Sequence, residues 1–149
     1  MVKNQLIPLV SLNIFRLNEN IETYTQMKHK YEYEPPNSTG WATYRYPDFD
    51  ITVYCENNII ECITCYQNCF YNKQNLIGVT IGRCKKILNA EPDSYDFMQV
   101  GYDDEKPQTV YEFDKLGLQI WVANQKVVSV SCSSFIEDDP IEGTCPQSV

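Results

Sequence analysis

The chain has 149 residues, 43% of them hydrophobic and 13% aromatic, which suits one folded domain and argues against general disorder. Its net charge of −8 is unevenly placed: residues 1–90 carry nine basic and eight acidic side chains, whereas residues 91–149 carry three basic and twelve acidic ones. An acidic half of this kind argues against nucleic acid or an anionic membrane as the partner and favours a basic protein.

The first stretch, MVKNQLIPLVSLNIF, predicts no targeting segment, because Pro8, Ser11 and Asn13 interrupt its apolar run. No stretch approaches the ~18 consecutive apolar residues that a membrane helix needs. We therefore expect a cytoplasmic protein with no membrane partner. In that reducing compartment the seven cysteines would remain thiols.

The first predicted helix covers LNENIETYTQMKHK, with Asn18 as its N-cap and with Ile21, Tyr24 and either Met27 or Lys28 on its inner side. Residues 31–41 then predict a loop. A tyrosine-rich strand at about 42–46 leads into two further strands, which are joined by a turn at Glu56-Asn57-Asn58 because asparagine tolerates left-handed conformations.

The same order of elements follows a second time. VTIGRCKKILN predicts a helix capped by Thr80, with Ile81, Cys84, Ile87 and Leu88 on one face and Lys85 and Lys86 near its carboxyl end. Residues 91–108 predict a loop, and three strands begin at about residue 109 and turn at Asn124-Gln125.

The two halves are related by an internal repeat. DITVYCENNIIECITC and GLQIWVANQKVVSVSC align without a gap at an offset of 67 residues, so that Tyr54 matches Trp121 and Cys65 matches Cys132. The predicted fold class is α+β: two repeated αβββ units form an antiparallel sheet with helices packed on one face. We expect one domain over residues 1–149, built from repeats at about 12–66 and 75–133, with a flexible acidic carboxyl-terminal tail.

The cysteine spacing in ECITCYQNCFY resembles a metal clamp, but a strand across residues 59–65 would point Cys62 and Cys65 to opposite faces. We therefore expect strand cysteines, no metal and no cofactor. The one histidine, His29, sits in a charged stretch away from any candidate nucleophile, and the acids form no pair typical of catalysis. These patterns predict a protein that is not an enzyme.

The segments NLIGVTIGRCKKIL and TVYEFDKLGLQIWVANQKVVSVSC, within about residues 75–132, resemble immunity proteins of bacterial contact-dependent growth inhibition, a polymorphic toxin system. Some of these proteins guard against EndoU-type ribonuclease toxins. The resemblance implies an antidote that binds the basic nuclease domain of its cognate toxin and covers its active site or substrate groove.

Charge alone places the expected toxin contacts at two acidic groups. The predicted partner-binding residues are Asp103, Asp104, Glu105, Glu137, Asp138 and Asp139. The alternative hypotheses are a small-ligand-binding domain of the same α+β fold without catalytic activity and an enzyme of unrecognised type. A deep apolar pocket lined by tyrosines and tryptophans would favour the former, and a turnover that depends on His29 and the acids would favour the latter.

Overall fold

The computed structural model describes residues 3–38, 40–98 and 107–134. These residues are mostly β, with 48% of them in strands and 12% in helices. In chain order the elements are β1 (Leu6–Ile7), β2 (Ser11–Leu12), β3 (Phe15–Arg16), α1 (Glu22–Thr25), β4 (Glu32–Glu34), β5 (Ala42–Tyr46), β6 (Ile51–Glu56), β7 (Ile59–Cys65), β8 (Phe70–Tyr71), β9 (Gln74–Asn75), α2 (Ile81–Leu88), β10 (Ser94–Met98), β11 (Gln108–Phe113), a 3₁₀ turn (Asp114–Leu116), β12 (Leu118–Ala123) and β13 (Lys126–Ser133).

One antiparallel sheet of eight strands organises the molecule, in the order β10-β11-β12-β13-β7-β6-β5-β4. The short strands form a three-stranded sheet, β1-β2-β3, and a hairpin, β8-β9. The predicted α+β class is therefore wrong: two αβββ units with helices covering one face do not describe this fold. Short strands and loops pack with two short helices into the core instead.

The first helix accounts for much of this difference. α1 has four residues rather than the fourteen of the predicted segment, and Asn18 lies in the left-handed region at φ 69°, where it does not cap the helix. Ile21 and Tyr24 are buried as expected, but Met27 is 43% exposed. A sequence with threonines at 23 and 25 favours a helix weakly, so packing of Ile21 and Tyr24 holds a single turn.

The second helix agrees with the prediction made from its sequence. The Thr80 hydroxyl accepts a hydrogen bond from the Arg83 amide (3.2 Å), and α2 ends at Asn89, which adopts the left-handed conformation. Cys84, Ile87 and Leu88 are buried in the main core.

Two strands lie where the sequence predicted loops. β4 occupies part of 31–41 and β10 part of 91–108, and they form the two edges of the sheet. Their sequences, EYE and SYDFM, alternate polar and aromatic residues, a period-2 pattern that the neighbouring prolines and acids obscured.

The two central meanders, β5-β6-β7 and β11-β12-β13, match residue for residue at the offset of 67. The hairpin turns have positive φ at Asn57 and Asn58 in one and at Asn124 and Gln125 in the other. The register shifts after Tyr54 in β6 and after Trp121 in β12, which are repeat-equivalent positions. β7 and β13 then pair antiparallel at the centre of the sheet.

Strand alternation gives the sheet two faces. We call the packed face the one that carries Ile51, Val53, Ile63, Ile120 and Val130, all within the main core together with residues from α1, α2 and β1–β3. We call the second face the opposite one; its side chains include Thr52, Tyr54, Cys62, Thr64, Gln119, Trp121, Ser129 and Ser131. In the part of the chain that the structure describes, no helix has the length and apolar character to cross a membrane.

Candidate protein-binding edge

The six acidic residues predicted to bind a partner lie outside the described residues. Asp103, Asp104 and Glu105 fall between β10 and β11 in the sequence, and Glu137, Asp138 and Asp139 follow β13. The neighbouring strand β10 is a candidate binding site because of its exposed aromatic side chains.

Strand β10 exposes two large aromatic side chains. Tyr95 is 71% and Phe97 66% exposed, the highest values among the large hydrophobic residues described. They alternate along the strand opposite Tyr111 and Thr109, and the Tyr95 ring lies 5.8 Å from that of Tyr111. Because Tyr111 packs against the main core, Tyr95 and Phe97 extend the packed face outward.

Four carboxylates surround the same edge. Asp93 Oδ2 accepts a hydrogen bond from the Asp114 amide (2.8 Å), and Glu112 Oε2 accepts one from Gln119 Nε2 (3.1 Å). Asp96 Oδ1 accepts from the Phe97 amide (2.9 Å), which places its charge beside the aromatic pair. Asp96 and Glu112 belong to the second face, so the edge has an aromatic side and an acidic side.

These carboxylates repel one another. Burial, together with the charges of Asp114 and Asp96, raises the pKa of Glu112 above its ordinary value, although the Gln119 hydrogen bond partly offsets this. Burial and the charge of Asp93 raise the pKa of Asp114. Among the described residues none of the four carboxylates forms a salt bridge. A cation brought to this edge would therefore relieve a repulsion that the free protein carries.

A metal ion is not what this arrangement suits. Within residues 3–38, 40–98 and 107–134, no group of three or more His, Cys, Asp or Glu side chains is positioned to hold one. Carboxylates spread along an edge can instead accept hydrogen bonds from separate arginine or lysine side chains of a protein.

The opposite edge differs. Tyr33 on β4 is 51% exposed, but its ring lies 5.0 Å from that of Tyr44. Glu32 of β4 lies 4.0 Å from Arg45, which also pairs with Asp50 at 3.1 Å. Because Arg45 already pairs with Glu32 and Asp50, these carboxylates are less available to a basic partner.

The cysteines do not form the metal clamp that their spacing resembles. Cys65 lies in the main core, while Cys62 lies on the second face and is disulfide-bonded, contrary to the expectation of free thiols. Burial raises the pKa of Cys55 and Cys84 to about 12 and also raises that of Cys69 and Cys132, so none of these thiols is activated for nucleophilic chemistry.

His29, the one histidine, is half-buried beyond the end of α1, with its ring 4.9 Å from that of Phe49. The sequence predicted His29 near the end of the first helix, whereas α1 ends at Thr25 and the imidazole contacts an aromatic ring. The structure thus assigns it a packing contact.

The exposed aromatic pair was missed from the sequence because residues 91–108 predicted a loop. The alternation in SYDFM was the available signal, since it places Tyr95 and Phe97 on one side of a strand. No model of a known protein family matches the chain, and no curated protein or solved structure matches it either. The geometry of the β10 edge is therefore the basis for a functional hypothesis.

Proposed function

We propose that this protein is an inhibitor of the immunity type, which binds a basic toxin domain, a ribonuclease by the resemblance noted above, and covers its active site or substrate groove. The observation that carries the proposal is that exposed Tyr95 and Phe97 on β10 lie at the same edge as four carboxylates, which form no salt bridge with any residue that the structure describes.

Aromatic side chains suit the centre of a protein interface. Tyrosine and phenylalanine bury a large area at a small cost in side-chain entropy, and they are enriched at contact surfaces. In a free protein such exposure on neighbouring positions has no stabilising role, so a partner that covers Tyr95 and Phe97 gives it one.

The carboxylates at this edge would orient a basic partner and increase its rate of association. Asp93, Asp96, Glu112 and Asp114 present negative charge next to the aromatic pair, and the predicted contacts Asp103, Asp104 and Glu105 lie in the segment that joins β10 to β11. A basic nuclease surface complements this edge and would be drawn to it over a distance of about 10 Å at 0.1 M salt.

A partner alongside β10 would meet both sides of the edge. The aromatic pair belongs to one face and Asp96 and Glu112 to the other, while β10 itself pairs with β11 alone among the described strands. A stable complex of this kind commonly buries about 1,600 Å² in total, so contacts would extend beyond β10.

The test is a titration of the purified protein against the toxic domain encoded next to it, at low and moderate salt. We expect nanomolar or tighter binding, loss of nuclease activity at a one-to-one ratio, and slower association at the higher salt. The control is a basic nuclease of similar charge that is not its neighbour, which should not be inhibited. Absence of binding at micromolar concentration would contradict the proposal.

A further inference from the structure

One hydrogen bond fixes the orientation of the backbone along β10. The Glu112 carbonyl oxygen accepts from the Asp93 amide (2.8 Å), so the backbone groups of Glu112 point toward β10 and not toward β12. Ser94 lies opposite Glu112 in the antiparallel register. Because hydrogen-bonded and non-hydrogen-bonded pairs alternate along such a ladder, every second residue from Ser94 onward points its backbone groups toward β11. The residues between them, Tyr95 and Phe97, point theirs toward the open side of β10.

The Phe97 amide agrees with this orientation. It donates to Oδ1 of the preceding residue, Asp96 (2.9 Å), a local bond for an N–H that has no place in the β10–β11 ladder. Among the described strands β10 pairs with β11 alone, and residues 93–97 are all exposed. The backbone groups of Tyr95 and Phe97 therefore form an accessible row of the kind on which a further strand can pair.

The opposite edge of the sheet is protected against such pairing. β4 has three residues, and Pro35 and Pro36 follow it directly, so the chain there lacks the amides that a longer ladder requires. β10 has five residues, and none of them is proline. At β10 the Asp96 carboxylate occupies the Phe97 amide, and a cationic group that binds this carboxylate releases the amide for pairing.

The side chains beside the open backbone groups determine what kind of strand fits. A strand added to β10 places alternate side chains on the packed face next to Tyr95 and Phe97, where apolar residues suit, and the others on the second face next to Asp96. Arginine or lysine suits the second set, because Asp96 and Glu112 are acidic. A second copy of this chain fits poorly, since two β10 strands related by a two-fold axis would bring both Asp96 carboxylates onto one face.

We propose that the basic partner binds by strand addition: an extended segment of it, with alternating apolar and basic residues, pairs its main chain with Tyr95 and Phe97 at the open side of β10. This inference rests on the proposed function for the identity of the partner, the toxin domain. Main-chain pairing supplies affinity, and the side chains on the two faces supply selectivity. The site consists of described residues only; the flexible acidic tail predicted at the carboxyl end lies outside them.

The pairing is tested by amide hydrogen exchange of the full chain, alone and in complex with the toxic domain encoded next to it. The Tyr95 amide should exchange about 100-fold more slowly in the complex, since the added strand supplies an acceptor for an N–H that faces the open side. The amide of Lys73, in the exposed turn between β8 and β9, is the control and should not change. A complex in which the Tyr95 amide exchanges as in the free protein would overturn strand addition and leave the inhibitor proposal intact. A toxic domain that does not bind would contradict both.

A proline substitution separates the backbone from the side chain. Tyr95→Pro removes the outward N–H together with the ring, whereas Tyr95→Ala removes the ring alone. Because this N–H faces away from β11, proline here costs no ladder bond, so both variants should unfold at similar denaturant concentrations. Strand addition predicts that Tyr95→Pro binds the toxic domain about tenfold more weakly than Tyr95→Ala. Equal affinity of the two folded variants would overturn the proposal, and the exchange measurement decides should the proline variant not fold.

Discussion

Thr64 and Ser131 meet at the centre of the sheet, where their hydroxyl oxygens lie 2.7 Å apart. The two residues are 67 positions apart, which is the offset of the internal repeat, and they are direct partners in the antiparallel register of β7 and β13. Equivalent residues of the two repeats therefore pair with each other, as they do across the axis of a symmetric dimer. The two meanders join into one continuous sheet where β7 and β13 pair, and Thr64 and Ser131 lie at this junction.

This pair gives a first prediction. Thr64→Val leaves the Ser131 hydroxyl, 1% exposed, without its partner, so we expect the free energy of unfolding to fall by about 1–3 kcal/mol. Thr64→Val combined with Ser131→Ala removes both hydroxyls and should recover much of that loss. Urea unfolding of both variants measures the difference. A double variant less stable than Thr64→Val alone would show that the hydrogen bond is not what the site needs.

The turn before β12 gives a second prediction. Gly117 has φ 62°, and an added Cβ would collide with the Ser133 carbonyl oxygen and the Leu9 side chain. We expect Gly117→Ala to destabilise the fold by more than about 1–3 kcal/mol, the range for left-handed strain alone. Gly82→Ala is the matched control within α2, where an added Cβ finds Thr80 Oγ1 at 4.0 Å. We expect the free energy of unfolding of this control to rise by about 0.5–1 kcal/mol. Thermal unfolding distinguishes them, and similar melting temperatures would contradict the prediction.

Glu112 gives a prediction about pH. Its pKa in the folded protein is raised by burial and by nearby carboxylates, so between its ordinary value of 4.5 and that raised value the folded state binds more protons than the unfolded state. Stability should therefore fall as pH rises through this window. Glu112→Gln keeps the side-chain shape and should remove this part of the pH dependence, with a gain below about 1 kcal/mol at pH 7. Denaturant unfolding at pH 5 and 7 measures both effects; a variant less stable than the wild type at pH 7 would contradict the repulsion.

The acidic side of the edge gives a kinetic prediction. Asp96→Lys should slow association with a basic partner about tenfold at low salt and flatten its salt dependence, because it reverses a charge on the approach path. Asp48→Lys makes the same change of charge at an exposed position near the opposite edge and should have little effect. Stopped-flow mixing measures both rates. The double variant Asp103→Lys/Asp104→Lys tests the contacts predicted from charge in the same assay. If Asp48→Lys slows association as much as Asp96→Lys does, the effect comes from the net charge of the protein and not from the β10 edge.

The sequence was informative where the pattern is local. The Thr80 cap, the buried face of α2 and the matched turns at Asn57 and Asn124 follow from propensity and periodicity. The extent of α1 does not follow from the sequence pattern, because burial of Ile21 and Tyr24 is compatible both with a long amphipathic helix and with a single packed turn. β10 does not follow from it either, because its pairing with β11 joins segments whose own signals, Pro92 and Pro107, favour loops.

The candidate site could be predicted only in its charge. Twelve acids after residue 90 indicated a basic partner, but the exposure of Tyr95 and Phe97 depends on their place at the edge of the sheet. Exposure is a property of the whole fold. The disulfide of Cys62 was missed for a similar reason, since strand alternation gives the face of a cysteine and not what covers it.

The central claim is that a basic toxin domain binds the β10 edge through its aromatic pair. The measurement that tests it most directly is the affinity of Tyr95→Ala/Phe97→Ala for that domain, beside Tyr33→Ala, which truncates an exposed tyrosine at the opposite edge. We expect the double variant to unfold at the wild-type denaturant concentration and to bind about 100-fold or more weakly, because interface anchors of this type carry most of the binding energy. Tyr33→Ala should bind like the wild type. A double variant that keeps full affinity while the wild type inhibits the toxin would contradict the account.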